Sequence, residues 1–569
     1  MKLINFLRIP GISSLVCISL IMNRPELFAN DKFKPGDFGI ALEQITSGPG
    51  HIWINSGHTT VNPENLTVMG VNEFYSPPFA AKSFSLKINI MIDSLSVSDR
   101  GSYGKGDVGL LFSGGTWFPH KIVRKGTYHH LKNGQLISLG VTSELIPLFD
   151  KSGFIEKVCI TNRTERSLSI ALSADIQPGI PSFIPLDSWG YGVPRANASK
   201  TKQITANSWT TDLAKISFYE ENTSTTLLPG KTSTAYFTVV INNTTEKIPD
   251  KIQVKELENN SINAWEKRIE KFTKNIPSIE SNIEGLNDYY KRSILSGLVS
   301  IWENVAYTPN PFLAESGIDG GGICTYPWGL AYHTQIATMM LDSAIIDIAK
   351  NMVNIDLEKY YAFTLNGTGA GVKYSYSPWS YTKLVSTIFK FLGPEQELLS
   401  AAKTIILNNE KQQSENNLID YGVQNNLLEM RGAGWEHFVS SPNAERSWCL
   451  SQLAEMGKLL NHDPAELNNY NKQAKVITKA IQKELWDNKV KWFASIYPDG
   501  FKDFVYSIQV YDALRAGVCT PEMEEALVSH LREGAFLGEF GITSISKEDS
   551  IHYEVLDTDW SGGGAYTGD

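Results

Sequence analysis

No long run of basic residues occurs in the 569-residue chain, and acids outnumber Lys and Arg by 61 to 51, a formal net charge of −10. A surface of that sign repels a phosphate backbone, which argues against nucleic acid as a partner. Cysteine is scarce, five in all, and Cys17 falls in a leader-like segment. The other four, Cys159, Cys324, Cys449 and Cys519, stand far apart and never in Cys-x-x-Cys spacing. A metal cluster is therefore not expected, and no cofactor is read from the sequence. Beyond residue 30 no stretch is apolar and long enough to span a bilayer. No fixed period recurs, which argues against a stacked helical repeat.

What is present begins with that leader. "MKLINFLR" supplies positive charge, "IPGISSLVCISLIM" a short apolar run, and "LFAND" a cleavage point after Ala29. Residues 1–30 read as a signal peptide, which predicts a secreted or periplasmic protein. Hydrophobic residues make up 42% and aromatics 11%, enough for large cores and for rings to spare on loops.

Residues 31–245 read as a β-sandwich. "SFSLKINIMIDSLSV", "KVCITNRTERSLSIALSADI" and "TSTAYFTVVIN" alternate apolar and polar residues, with a turn at Asn162-Arg163. Residues 246–284 form a charged link whose second half is helical and docks on the next domain. From 285 to 569 the spacing switches to three- and four-residue steps. The segments 286–304, 331–353, 379–392 and 395–409 read as helices. "ERSWCLSQLAEMGKLLN" with "AELNNYNKQAKVITKAIQKELW" reads as a helical hairpin, and "FVYSIQVYDALRAG" with "PEMEEALVSHLRE" as another. Thr520-Pro521 is a helix start. Short connections alternate with long ones at 304–329, 362–378, 412–444 and 534–569. Long ordered loops in a compact domain are usually functional. Their alternation with short ones suits a helical barrel, where they gather at one end. The fold class is thus multidomain β + α: a β-sandwich followed by an (α/α)6 helical toroid. About eight barrel helices are visible where a closed ring needs twelve, so the expectation is that the last helices follow Asp569.

Acids and rings coincide in four long loops. The first holds Glu315, Asp319, Tyr326, Trp328 and His333; the second Tyr374, Tyr376 and Trp379. The third holds Glu429, Arg431, Trp435 and Glu436, the last two following Gly-Ala-Gly. The fourth, "DTDWSGGGAY", holds Asp557, Asp559, Trp560 and Tyr566. Cleaving a glycosidic bond needs one protonated carboxyl for the leaving oxygen and a second carboxylate for water or direct attack. Rings stack on sugar faces and desolvate the acid. An acid beside a Trp is ordinarily just a loop residue. Four such loops in one helical domain point to a carbohydrate site.

The stretch from Gly434 to about Gly500 resembles the clan of six-hairpin glycosidases that contains trehalases, processing α-glucosidase I and mannosylglycerate-hydrolase-like domains. "GAGWEHFVSS" resembles the trehalase E-S-G-W-D-F-S-S, and "ERSWCLSQLAEMGKLL" the helix that follows it. The resemblance places the general acid on Glu436, where trehalases have Asp. "WGLAYH" is similar to the W-D-E-G-F-H of processing glucosidases, matching Trp328, Tyr332 and His333. Gly329 stands where those enzymes have a sugar-binding Asp, and Asp319 is a candidate to compensate. In the clan the catalytic base lies in a later loop, so the resemblance implies a base beyond Asp569 or a different loop order here. It also implies an inverting mechanism, with the carboxylates roughly 6.5–9.5 Å apart.

The leading reading is an exported glycoside hydrolase acting on an oligo- or polysaccharide. Glu436 is its general acid. Glu315, Asp319, Trp328, His333, Trp379, Arg431, Trp435, Asp557, Asp559 and Trp560 bind substrate. Three alternatives stay open. A disaccharide phosphorylase would use His437, Arg431 and Arg446 for phosphate. A polysaccharide lyase would use Tyr374 or Tyr376 as base. A degenerate carbohydrate-binding protein would keep the rings and break no bond.

Overall fold

The computed structural model describes residues 33–42, 54–63, 67–99, 109–149, 151–184, 186, 198–315, 323–423, 434–539 and 541–551. The leader at 1–30 lies outside them.

The N-terminal region is mostly antiparallel sheet. In one layer the strands Gly109–Phe118, Lys121–Lys132, Gln135–Pro147, Gly153–Asn162, Thr232–Asn243 and Ala214–Glu221 pair in that order. The second layer joins Thr60–Pro63, Val71–Ser76, Ser85–Ile92 and Leu168–Gln177. The period-two pattern explains the packing. Along Ser85–Ile92 the residues Leu86, Ile88, Ile90 and Ile92 are all buried, with more open residues between them. They meet Phe74, Phe84, Phe154 and Phe237 in a core shared by both layers. Each such side chain contributes about 1.5–3 kcal/mol.

The link becomes helix α1, Val254–Thr273. The C-terminal part is helical: α2 Leu286–Ser300, α3 Pro327–Leu341, α4 Ala344–Asn354, α5 Ser377–Phe391, α6 Gln396–Glu410, α7 Ser440–Leu459, α8 Pro464–Ala480, α9 Tyr511–Arg515 and α10 Pro521–Val528. None of these helices is long and apolar enough to cross a membrane.

Three local readings change. Residues 331–353 were expected to run as one helix and form two, because Asp342 takes φ 53°, a left-handed conformation that ends α3. The segment 504–517 is helical only over Ile508–Val510, as a 3-10 turn, and α9. Helix α7 begins at Ser440, inside the stretch read as loop. The start at Thr520 is as expected: its hydroxyl accepts from the Met523 amide ahead of Pro521.

Helix α7 lies against α5, α6, α8 and α9. Its first eight residues, Ser440 to Ser447, are all buried despite their polarity. Helix α1 joins the two halves. Buried Arg268 donates to the carbonyls of Ser56, Leu298 and Ile301 at 3.1, 3.1 and 2.7 Å. It also faces Glu303 at 3.3 Å and rests on the Trp265 ring.

Candidate carbohydrate site

The loops before α3, α5 and α7 deliver their residues to one region. Trp328 and Tyr332 sit one turn apart on α3, with ring centroids 5.1 Å from each other. Trp328 also meets Tyr374 and Tyr376, at 6.2 and 6.4 Å, from the approach to α5. Tyr332 lies 5.4 Å from Trp379 on α5. The rings differ in access. Tyr332 is 55% exposed, whereas Trp379 and Trp435 are 4% and 2% exposed. The open platform is therefore Tyr332, and the buried Trp379 indole backs it.

Glu315 follows the short strand Phe312–Leu313, and its Oε1 is 2.8 Å from His333 Nε2. A Cβ at Gly329 would lie 2.8 Å from Glu315 Oε2. The Glu315 carboxylate thus occupies the space that a side chain at 329 would need.

Glu436 stands just ahead of α7. Gly434 takes φ 67°, which a residue with a Cβ adopts only at a cost, and the Glu436 amide bonds back to its carbonyl at 3.1 Å. This tight turn directs the half-buried Glu436 side chain to Tyr497, whose hydroxyl donates to Oε2 at 3.0 Å. Among the described residues Glu436 forms no ion pair. The neighbouring His437 is bound through Nδ1 to Asp420 at 3.0 Å, and its ring lies 5.1 Å from Tyr497.

The sequence reading missed a polar network beneath the rings. Gln509 donates to the Tyr376 hydroxyl at 3.0 Å, and Tyr376 is 3.0 Å from the Ser441 hydroxyl. Ser441 donates to Asp512 at 2.5 Å. Arg515 Nη2 reaches both Asp512, at 2.9 Å, and Glu445, at 2.6 Å. Burial raises the Glu445 carboxyl well above its ordinary range, and the Asp512 charge adds to this, against Arg515. Burial also raises Asp512, opposed by Arg515 and the Ser441 bond. Burial first, then the same two carboxylates, pushes the Tyr376 phenol far up.

The structure brings Trp328 and Trp379 together through Tyr332 and pairs Glu315 with His333, while Trp435 is buried and precedes Glu436 in the chain. Asp319, Arg431, Asp557, Asp559 and Trp560 lie outside the described residues, as does Glu429. The signal that would have found Glu445 and Asp512 is weak. Glu445 is an acid near the start of the helix that follows the third loop, and Asp512 lies inside a segment read as helix.

A layered β domain leading through one helix into a helical domain, with acids and rings converging from its loops, defines the class: a carbohydrate-active enzyme architecture. Within it, residues 449–563 match the family model of the mannosylglycerate hydrolase MGH1-like glycoside hydrolase domain. The resemblance to mannosylglycerate-hydrolase-like six-hairpin glycosidases is therefore shown over that segment. A comparison with curated protein sequences finds no match. Among solved structures, a bacterial glucoamylase complexed with acarbose is similar at 11% identity, covering 88% of this chain and 82% of its own, with a TM-score of 0.46. A kojibiose phosphorylase assigned from the human microbiome is similar at 11% identity over 78% of this chain and 68% of its own, TM-score 0.42. A rhamnosidase from Klebsiella oxytoca with rhamnose bound shows 7% identity over 71% and 76%, TM-score 0.38. These three likenesses carry no argument about substrate.

Proposed function

We propose that the protein is a glycoside hydrolase in which Glu436 protonates the leaving oxygen. The observation that carries this is the Glu436 carboxyl itself: half-buried, held by the Tyr497 hydroxyl, free of ion pairs among the described residues, and set beside Trp435. A proton donor needs such a setting, fixed by a neutral partner and not locked to a cation. Tyr332 offers a sugar-stacking face, and Glu315 with His333 supplies hydrogen bonds to hydroxyls. Glu315, placed over Gly329, takes the sugar-binding part for which Asp319 was the sequence candidate. Asp319, Arg431, Asp557, Asp559 and Trp560 complete the substrate site from their loops in this reading. The helices belong to an (α/α)6 toroid, the mechanism is inverting, and the leader-like residues 1–30 support export.

Hydrolysis is favoured over phosphorolysis by the state of two of the three candidate cations. Arg446 grips Glu410 through two bonds of 2.8 and 2.7 Å and is buried; His437 is engaged by Asp420. Neither is free to take phosphate. A lyase with Tyr376 as base is disfavoured because the Tyr376 hydroxyl is buried and its pKa is raised, the reverse of what a base requires.

The test is product release from a panel of oligosaccharides by the full chain, with and without inorganic phosphate. Turnover should be independent of phosphate. Glu436→Gln should lose about 10²–10⁴-fold in kcat while sugar binding survives. Phosphate-dependent turnover, or near-wild-type activity in the variant, would refute the reading.

A further inference from the structure

The polar network beneath Tyr332 is not needed for proton donation by Glu436, yet it carries a charged group to the surface. Arg515 is on α9, and its side chain is 38% exposed although its carboxylate partners are only 3% and 14% exposed. Its guanidinium lies 4.1 Å from the centre of the Trp379 ring and 5.4 Å from that of Tyr332. Both carboxylate bonds use Nη2. The Tyr332 ring flanks the same side chain. The plane of the guanidinium is thus fixed on three sides: carboxylates below, an indole against one face, and a phenol beside it. A guanidinium is a rigid fork of donors with no acceptor. Anchoring one arm leaves the remaining N–H groups pointing outward in a set direction, next to the exposed ring.

We propose that Arg515 is a positioning residue of the carbohydrate site, donating hydrogen bonds to the hydroxyls of an uncharged sugar stacked on Tyr332. The proposal rests on the reading of this region as a glycan site and adds the class of sugar. The charge count sets that class. Two carboxylates, Glu445 and Asp512, already face the single guanidinium. A sugar carrying its own carboxylate or phosphate would meet a cation whose charge Asp512 already balances. Hydroxyls need no free charge, and preorganised donors bind them without losing side-chain freedom. Glu445 Oε2 is buried with no hydrogen-bond partner, and burial holds this carboxyl toward its neutral form.

The experiment is a binding titration of the full chain, followed by tryptophan fluorescence, to which Trp379 reports directly. The probes are maltose, cellobiose and mannobiose as neutral sugars, with glucuronate and glucose 6-phosphate as charged ones. At least one neutral probe should bind, and each charged probe should bind at least tenfold more weakly. Arg515→Met should weaken the neutral sugar at least tenfold, and Arg515→Lys should recover part of that loss. Asp512→Asn should narrow the gap between neutral and charged probes, a change that a purely structural role would not produce. The proposal is overturned if folded Arg515→Met or Arg515→Lys binds the neutral probe as the wild type does. It is equally overturned if the wild type prefers the charged probes or binds none of the panel. Should sugar bind as described while no glycan yields product, hydrolysis fails and the role of Arg515 stands.

Discussion

Replacing Arg268 with Met removes the guanidinium that ties the β layers to the helices and keeps most of the apolar stem. Three carbonyls then lose a donor: Ser56 on the β side, and Leu298 and Ile301 at the end of α2. An unsatisfied buried group costs about 1–3 kcal/mol. Two terms reduce the sum. Burial brings the Arg268 pKa down to about 10, so the wild type already carries a desolvation penalty that Met relieves. Glu303 keeps Lys271 at 2.6 Å and is not stranded. The net loss should be about 3–5 kcal/mol, in the range for breaking a buried charged network. It falls on the junction and not on either core. Denaturant unfolding followed by tryptophan fluorescence and far-ultraviolet circular dichroism should therefore show a lowered midpoint that separates into two steps. Gly57→Ala should act likewise from the opposite side. Its φ is 81°, and a Cβ there would lie 1.8 Å from Arg268 Nη1. A single transition, shifted by less than about 1 kcal/mol in both variants, would refute the account of Arg268 as the fastening.

Two further outcomes follow from the site. Tyr497→Phe removes the hydrogen bond that orients Glu436; kcat should fall about tenfold with little change in KM, since a bond to a charged group is worth roughly 1.5–3 kcal/mol. Unchanged kcat would count against the role of Tyr497. The raised carboxyls of Glu156, Glu445 and Asp512 bind protons more tightly folded than unfolded. Stability should thus decline as pH rises from their ordinary values, 4.5 for Glu and 3.8 for Asp, through the raised folded ones. Melting temperatures between about pH 5 and pH 8 should slope less in Glu445→Gln than in the wild type, and an identical slope would reject burial as the cause.

The strands were legible because one face of each is buried: Leu86, Ile88, Ile90 and Ile92 announce their own periodicity. The helices were legible wherever an apolar stripe faces a core. Legibility failed at Asp342, where a single left-handed residue divides an unbroken apolar pattern. It failed again at the start of α7, where Ser440, Ser441 and Asn443 read as loop but are buried. Of the candidate site, Trp328, Trp379, Trp435 and Glu436 could be named from rings and acids beside glycines. Glu445, Asp512, Arg515 and Arg268 could not. A charged residue on a helix reads as solvated, and only the tertiary arrangement shows that these partner one another or backbone carbonyls inside the protein.

Helix α7 has one more consequence. Most of the buried polar residues in its first half have an assigned counterpart: Ser441 with Asp512, Asn443 with the backbone of Ile419, Arg446 with Glu410, Ser447 with Thr478. That half has few neutral positions on which substitutions can accumulate, whereas the loops around it have many. It behaves as a mandrel on which the remainder is wound. The loops at its end can be exchanged while the shaft that holds them in register stays the same.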